Sequence, residues 1–347
     1  MKVLHIAPLW FPVAQSSSGG IETFLASLID EQLRQGCDVG LIASGDSRTG
    51  AELVPATPVN VVDAMAAGTT SEYGYHEQQA ITLALDLVYE YDVIHSHLGM
   101  SALALSTIPE LHRRLLHTHH NEITPDIVAF VARNPDLWIS TVSHTSAAPL
   151  RAVGATRCDV VPNGITADAF PVGSSPGPGL AFLGRMERAK GADVAIAVAR
   201  QVGRTLTLGG PIVDDDYFAS EVQPHLGRGV TYAGVLDHEA KCELFASSAC
   251  TLVPSRAEEG FGMVAVESMA CGTPVVSSGN GALSEVVDDG LTGFSMEAKG
   301  MADAVERAVR LDRHTVATRA RERFGIRRAA DGYLALYERA ARATAVR

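Results

Sequence analysis

Two glutamates eight residues apart, Glu259 and Glu267, bracket a glycine turn in Ser255-Arg256-Ala257-Glu258-Glu259-Gly260-Phe261-Gly262-Met263-Val264-Ala265-Val266-Glu267. On one continuous helix they would stand ~12 Å apart along the axis. With Glu259 on a pre-helix loop and Glu267 inside the helix, both can address one extended ligand at different points. Gly260 and Gly262 permit a tight turn and close backbone approach. A helix starting near Gly262 turns its unpaired N–H groups toward a phosphate. Either glutamate alone would read as a cap or a solvated side chain. Gly19 and Gly20 end a serine-rich turn and open a second helix whose N–H groups suit the same chemistry, although no GxGxxG fingerprint is present. Histidines crowd two strand ends, at His95 and His97 and at His117, His119 and His120. Strand alternation puts His95 and His97 on one face. Histidine alone is dense there, without the mixed ligands and second shell of a metal site, so no metal is expected.

The glutamate segment resembles the glutamate-x7-glutamate motif of the retaining GT-B glycosyltransferases of family 4. Gly184-Arg185-Met186-Glu187-Arg188-Ala189-Lys190-Gly191 is similar to that family's GR-x4-KG loop. Val161-Pro162-Asn163-Gly164-Ile165 resembles its PNG segment, and Gly19-Gly20-Ile21-Glu22-Thr23 its N-terminal glycine loop. The run from Gly279 to Val287 with Gly290-Leu291-Thr292-Gly293 resembles its last sheet-edge block. The resemblance implies a nucleotide-sugar site at Gly19, Gly20, Gly184, Arg185, Lys190, Glu259, Gly260, Phe261, Gly262, Met263, Val264 and Glu267. Within it, Glu267 would bind the ribose hydroxyls, as suits an acceptor-only carboxylate. Glu259 would contact the donor sugar. Arg185 and Lys190 would hold the diphosphate and stabilise charge on the leaving phosphate, which makes a divalent metal unnecessary. Thr118, His120 and Asn121 match a T-x-H-D-like segment, with Asn121 in place of an acidic residue. The implied catalytic set is His120, Arg185, Lys190 and Glu259, and the implied acceptor contacts are His97, His120 and Asn121.

These residues need a scaffold, and the apolar pattern supplies one. Strand-like runs at Val3–Ala7, Val39–Ala43, Val59–Asp63, Val93–His97, Arg114–Thr118, Leu137–Val142 and Asp159–Val161 alternate with helical stretches at Gly20–Gln35, His76–Tyr89 and Pro125–Arg133. Such alternation predicts parallel sheets with helical crossovers. Pro171-Val172-Gly173-Ser174-Ser175-Pro176-Gly177-Pro178-Gly179 cannot form a regular element and reads as a linker. The pattern then restarts, with strands at Leu180–Leu183, Thr205–Leu208, Gly229–Tyr232, Cys250–Val253 and Pro274–Ser277 and helices at Ala192–Val202, His238–Ser247 and Val264–Cys271. The expected fold is therefore α/β, with two Rossmann-like doubly wound parallel-sheet domains facing across a cleft, the GT-B arrangement. The expected division is an acceptor domain at 1–172 and a nucleotide-sugar domain at 180–325. Apolar residues at helical spacing in Ile326–Ala340 mark a C-terminal helix, about 326–347, which the resemblance returns to the first domain.

Length and charge bound the rest. A chain of 347 residues exceeds the ~250–300 at which single cores stop growing. A net charge of −12 argues against a nucleic-acid partner. Residues 1–170 carry 8 basic and 18 acidic side chains, and residues 171–347 carry 20 and 22. The acidic first half predicts no docking on anionic membranes and a small, soluble, neutral or cationic acceptor. No apolar run of membrane-spanning length occurs, and the N-terminus reads as a strand, not a signal peptide. Five scattered cysteines suggest a reducing cytoplasm. The expectation is a cytoplasmic retaining transferase using a UDP-sugar and no cofactor. A lipid or polysaccharide acceptor, a phosphorylase or epimerase of the same fold, and a non-catalytic nucleotide-sugar-binding protein remain alternatives. Donor sugar, linkage and oligomeric state stay open.

Overall fold

Apolar runs separated by helix-length segments become two units in the computed structural model, which describes residues 1–17, 19–108, 111, 114–174 and 177–345. One unit comprises Met1–Gly164 with Ile326–Arg347, the other Ile165–Gly325. In the first, the chain runs β1 (Lys2–Ile6), α1 (Gly20–Arg34), β2 (Asp38–Ser44), β3 (Glu52–Thr57), α2 (Val61–Ala66), α3 (Gly74–Asp86), β4 (Val93–Ser96), β5 (Leu115–His119), α4 (Pro125–Arg133), β6 (Ile139–Thr141), α5 (His144–Ala152) and β7 (Cys158–Val160). These seven strands form one sheet in the order β3-β2-β1-β4-β5-β6-β7, with parallel pairings throughout. The order reverses between β1 and β4, so the loops after those strands diverge at the sheet's carboxyl edge.

The second unit runs β8 (Leu180–Leu183), α6 (Ala192–Gln201), β9 (Leu206–Gly209), α7 (Asp215–Tyr217), β10 (Val230–Tyr232), α8 (His238–Ser247), β11 (Cys250–Val253), α9 (Met263–Ala270), β12 (Val275–Ser277), α10 (Leu283–Val286), β13 (Gly293–Ser295), α11 (Met301–Ala308) and α12 (Arg313–Phe324). Its sheet has the order β10-β9-β8-β11-β12-β13 and reverses between β8 and β11. The chain then passes through Gly325 into α13 (Ile326–Ala345), which packs with α1. Tyr333, Leu336 and Tyr337 of α13 join Phe24, Leu25 and Leu28 of α1 in one core cluster.

Four expectations need correction. Val59–Asp63 is not a strand. The Asn60 side chain accepts a hydrogen bond from the Asp63 N–H at 3.0 Å and caps α2, while the strand lies earlier, at Glu52–Thr57. Pro55 falls inside that strand, which a sheet edge tolerates. The segment Pro171–Gly179, whose Ser175 and Pro176 lie outside the described residues, does not join the two units. Gly173 N–H donates to Cys271 O at 3.1 Å and Gly177 N–H to Ser247 O at 2.7 Å, which ties the segment to the second unit. The division falls at Gly164/Ile165 instead of 172/180, because Ile165 N–H donates to Phe324 O at 2.8 Å and fixes the following residues there. Finally, the charge asymmetry disappears. The observed first unit carries 13 basic and 19 acidic side chains and the second 15 and 21, so each is −6. The arginines of α13 offset the acidic first half.

Candidate functional site

Glu259 and Lys190, 69 residues apart in sequence, meet at the strand-order reversal of the second unit. Lys190 ends the loop after β8 and Glu259 lies in the loop after β11, its central neighbour. The Lys190 Nζ donates to Glu259 Oε1 at 2.6 Å, and Ser255 Oγ donates to the same oxygen at 2.7 Å. Two backbone features hold the loops together. Gly191, with φ +75°, caps α6, and a Cβ there would lie 2.4 Å from Pro254 O. Asn280 Nδ2 donates to Ser255 O at 2.8 Å. The loop therefore closes on β11 with no room for a side chain at residue 191.

Glu267 stands one helix along. It lies inside α9, 6% exposed, and accepts from Lys241 Nζ at 2.8 Å. Gly262, with φ +97°, precedes that helix, and a Cβ on it would approach Leu283 Cδ2 to 2.7 Å. Thus Gly260, Phe261, Gly262, Met263 and Val264 form the turn and first residues of α9, with Phe261 buried against Phe324 at 5.6 Å between ring centroids. Arg185 is mostly exposed and pairs with Glu187 at 2.7 Å, on the same loop as Gly184 and Lys190. The second unit accordingly carries Lys190–Glu259, Lys241–Glu267 and Arg185–Glu187 as three ion pairs on the strand-end loops and the helices beside them. An ion pair of this kind keeps both polar groups satisfied until a ligand with matching charge replaces one partner.

In the first unit the register pairs His5 with His95 across β1 and β4. His5, His95 and His97 share one face, beneath α1 and α13, and all three are buried. Their ring nitrogens form chains. His5 Nε2 lies 2.8 Å from Gln32 Oε1, His5 Nδ1 3.1 Å from His97 Nε2, and His97 Nδ1 2.9 Å from His120 Nε2. His95 lies 2.6 Å from both the Tyr337 hydroxyl and Thr118 Oγ1. Burial drives His5 down to about 4, partly offset by its bond to Gln32. Burial, then the adjacent His119, drives His120 to about 3. His95 and His97 fall well below the ordinary range, first through burial and then through neighbouring imidazoles. The cluster is neutral near pH 7.

His97, expected at the acceptor, is 2% exposed, and both of its nitrogens face neighbouring rings. His120 sits just beyond β5, partly exposed, beside the exposed Asn121. Three ligand atoms of His5, His95 and His97 lie within 4.8 Å of one another, close enough for a metal by distance alone. Each nitrogen of those rings, however, already has a partner. At the start of α1, the Glu22 carboxylate lies over Gly19, where a Cβ would come within 2.0 Å of Glu22 Oε2. Burial raises Glu22 to about 7, and backbone bonds from Glu22 and Phe11 temper the rise. The Glu22 side chain thus packs against Gly19 and leaves no room for a side chain there.

Several participants carried no sequence signal. Lys241 is an unremarked lysine in α8, and His5 looks like an ordinary polar residue in the first strand. Trp10, after β1, and Tyr73, just before α3, are exposed and meet at a tilt of 50° with ring centroids 4.7 Å apart.

Comparison with known proteins covers most of the chain. Residues 18–169 match the model described as Glycosyltransferase Family 4, and residues 177–311 match Glycosyl transferases group 1. A D-inositol 3-phosphate glycosyltransferase of Mycobacterium tuberculosis is 26% identical over 403 residues, covering 98% of this chain and 82% of the relative. A glycogen synthase of Mycobacterium tuberculosis is 29% identical over 254 residues. That alignment covers 64% of this chain and 61% of the synthase, so the chain spans about three fifths of that relative's length. Among solved structures, a glycosyltransferase involved in avilamycin A biosynthesis superposes with a TM-score of 0.76 at 24% identity, over 98% of both chains. The Anabaena HepE protein in complex with UDP and glucose superposes at 0.71 and 18% identity, over 97% of this chain and 99% of that one.

Proposed function

This chain belongs to the group 1, family 4 glycosyltransferases with the GT-B fold, and from that premise we propose that it moves a sugar from a UDP-sugar to a hydroxyl of a small soluble acceptor with retention of configuration. The observation that carries this reading is the Lys190–Glu259 contact at the strand-order reversal of the second unit, with Glu267 one helix along. In α/β sheets that reversal is where extended ligands bind.

Glu267 accepts from the vicinal ribose hydroxyls, and Lys241 holds its carboxylate in place. Glu259 faces the donor sugar, fixed by Lys190 and Ser255. Arg185 leaves Glu187 for the diphosphate and joins Lys190 there, since a diphosphate presents more negative charge than one carboxylate. Gly184 and the Gly260–Val264 turn let the ligand approach main-chain N–H groups. The acceptor oxygen bonds to the anomeric carbon as that carbon's bond to the leaving phosphate breaks. The acceptor's proton passes to an oxygen of the departing phosphate on the same face. Two cations stabilise the charge that develops on that phosphate, so no metal cofactor enters this reading.

His120 and Asn121 lie at the carboxyl edge of the first unit's sheet, and Trp10, which meets Tyr73 at a tilt, follows β1 at the same edge. An exposed aromatic ring suits the apolar face of a ring that bears hydroxyls, such as a cyclitol or sugar. Among the described residues no helix is long and apolar enough to cross a membrane. Five free thiols fit a reducing compartment, and a cytoplasmic setting is part of the reading.

The test is turnover. UDP-glucose and a panel of cyclitol and sugar alcohols are incubated with the full chain, and UDP release and the anomeric proton of the product are followed. The reading expects acceptor-dependent release with an α-linked product. Release that needs inorganic phosphate in place of an alcohol, or a β-linked product, would overturn it.

A further inference from the structure

The buried imidazole chain ends on an atom without a partner among the described residues. His120 Nδ1 is shielded from solvent and makes no hydrogen bond to any of them. An unpaired buried acceptor or donor carries a desolvation cost, so its retention calls for an explanation. The neighbouring geometry determines which of the two it is.

Polarity is set at the far end, where Gln32 lies between Tyr337 and His5. Gln32 Nε2 stands 3.2 Å from the Tyr337 hydroxyl, and Oε1 stands 2.8 Å from His5 Nε2. The longer separation suits N–H···O and exceeds the O–H···O range, so the amide nitrogen faces the phenol. The Tyr337 oxygen is 2.6 Å from His95 Nδ1, which suits a phenol donating to an imidazole nitrogen. Its single proton is thereby spent, and toward Gln32 it accepts. Gln32 Oε1 then requires a proton on His5 Nε2, which leaves His5 Nδ1 as an acceptor. His97 must donate to it from Nε2 and accept at Nδ1. His120 must donate to His97 from Nε2.

We infer that Gln32, His5 and His97 are positioning residues that hold His120 in its Nε2–H tautomer, so that its Nδ1 lone pair accepts a hydrogen bond from a substrate hydroxyl. The chain of bonds Tyr337–Gln32–His5–His97–His120 links α13 and α1 through β1 and β4 to the residue after β5. Burial keeps each ring neutral, so one proton per imidazole suffices to set the direction of the whole chain. The role of the hydroxyl rests on the transferase reading above. The tautomer assignment does not.

The experiment is two- and three-bond ¹⁵N–¹H correlation spectroscopy on the full chain with ¹⁵N-labelled histidine, assigned through His5→Asn, His97→Asn and His120→Asn. The wild type should show His5, His97 and His120 each protonated at Nε2 and bare at Nδ1. A His120 protonated at Nδ1, or a fast average of the two forms, overturns the inference whatever the enzyme's substrate. Gln32→Met, which removes the acceptor, should mix the His120 tautomers and lower kcat/KM with UDP-glucose roughly three- to tenfold, the worth of one neutral hydrogen bond. Gln32→Glu, which keeps an acceptor at that place, should restore the single tautomer. Unchanged His120 signals in Gln32→Met would remove Gln32 from the chain. Titration with Co(II) should leave the histidine signals in place. Stoichiometric uptake abolished by His5→Asn would show that the trio serves a metal, and the relay would fall.

Discussion

Lys241 shows what a single buried charge does in this site. Its ammonium meets Glu267 at 2.8 Å, with the two side chains 17% and 8% exposed. Removing one member of such a pair strands the other, which costs more than the pair contributes. Lys241→Met keeps the stem's volume and deletes the charge. We expect it to lower unfolding stability by roughly 1–3 kcal/mol, seen as a lower urea midpoint at unchanged slope. An unchanged midpoint would mean that Glu267 is held by something else. The two glutamates were legible in sequence because they sit in one short segment with a glycine turn. Their cations were only half legible. Lys190 belongs to a recognisable loop, whereas Lys241 reaches Glu267 from 26 residues away on another helix. The partners of His97 on β1 and beyond β5 were not legible for the same reason, because they are fixed by sheet register, not by spacing along the chain.

At the scale of elements, strands with continuous apolar runs were legible almost to their ends. The segments Leu180–Leu183 and Cys250–Val253 coincide with β8 and β11. Their runs are buried on both faces, so pattern and structure agree. Val59–Asp63 failed because three valines and an aspartate look extended until Asn60 is recognised as a helix cap. The last strand, Gly293–Ser295, and the helix His144–Ala152 were not anticipated. The strand is only three residues long, and the helix carries Pro149 in its interior, which weakens its signal. The helix α13 was visible as an apolar stripe, but its place against α1 required the contacts of Tyr333 and Tyr337.

For the whole molecule, the histidine cluster sets a pH dependence. His5 titrates about 4 in the native chain against 6.5 when free. Between those values the unfolded chain binds a proton that the native chain refuses, so stability falls as pH falls. That window is worth about 3 kcal/mol for His5 alone. His95, His97, His117 and His120 are lowered in the same direction and add to it. Glu22 opposes them. Its native value near 7 lies above the free 4.5, so its contribution is present below 4.5 and fades as pH rises through 7. Five bases outweigh one acid. We expect urea unfolding to show a net loss of more than about 3 kcal/mol from pH 6.5 to pH 4.5. A flat or rising profile would contradict a neutral buried cluster.

The division of the molecule also revises its surface. Returning α13 to the first unit brings both units to −6, so an acidic first half no longer argues for a particular acceptor. The central claim lies in the second unit, where Glu267 receives the nucleoside and Lys190 serves the phosphate. Thermal unfolding with added UDP tests it most directly. At 100-fold over its dissociation constant UDP should stabilise the wild type by ~2.7 kcal/mol. Lys190→Ala should keep much of that response while losing turnover, and Glu267→Ala should lose the response. A Glu267→Ala variant that UDP stabilises as fully as it does the wild type would contradict the account.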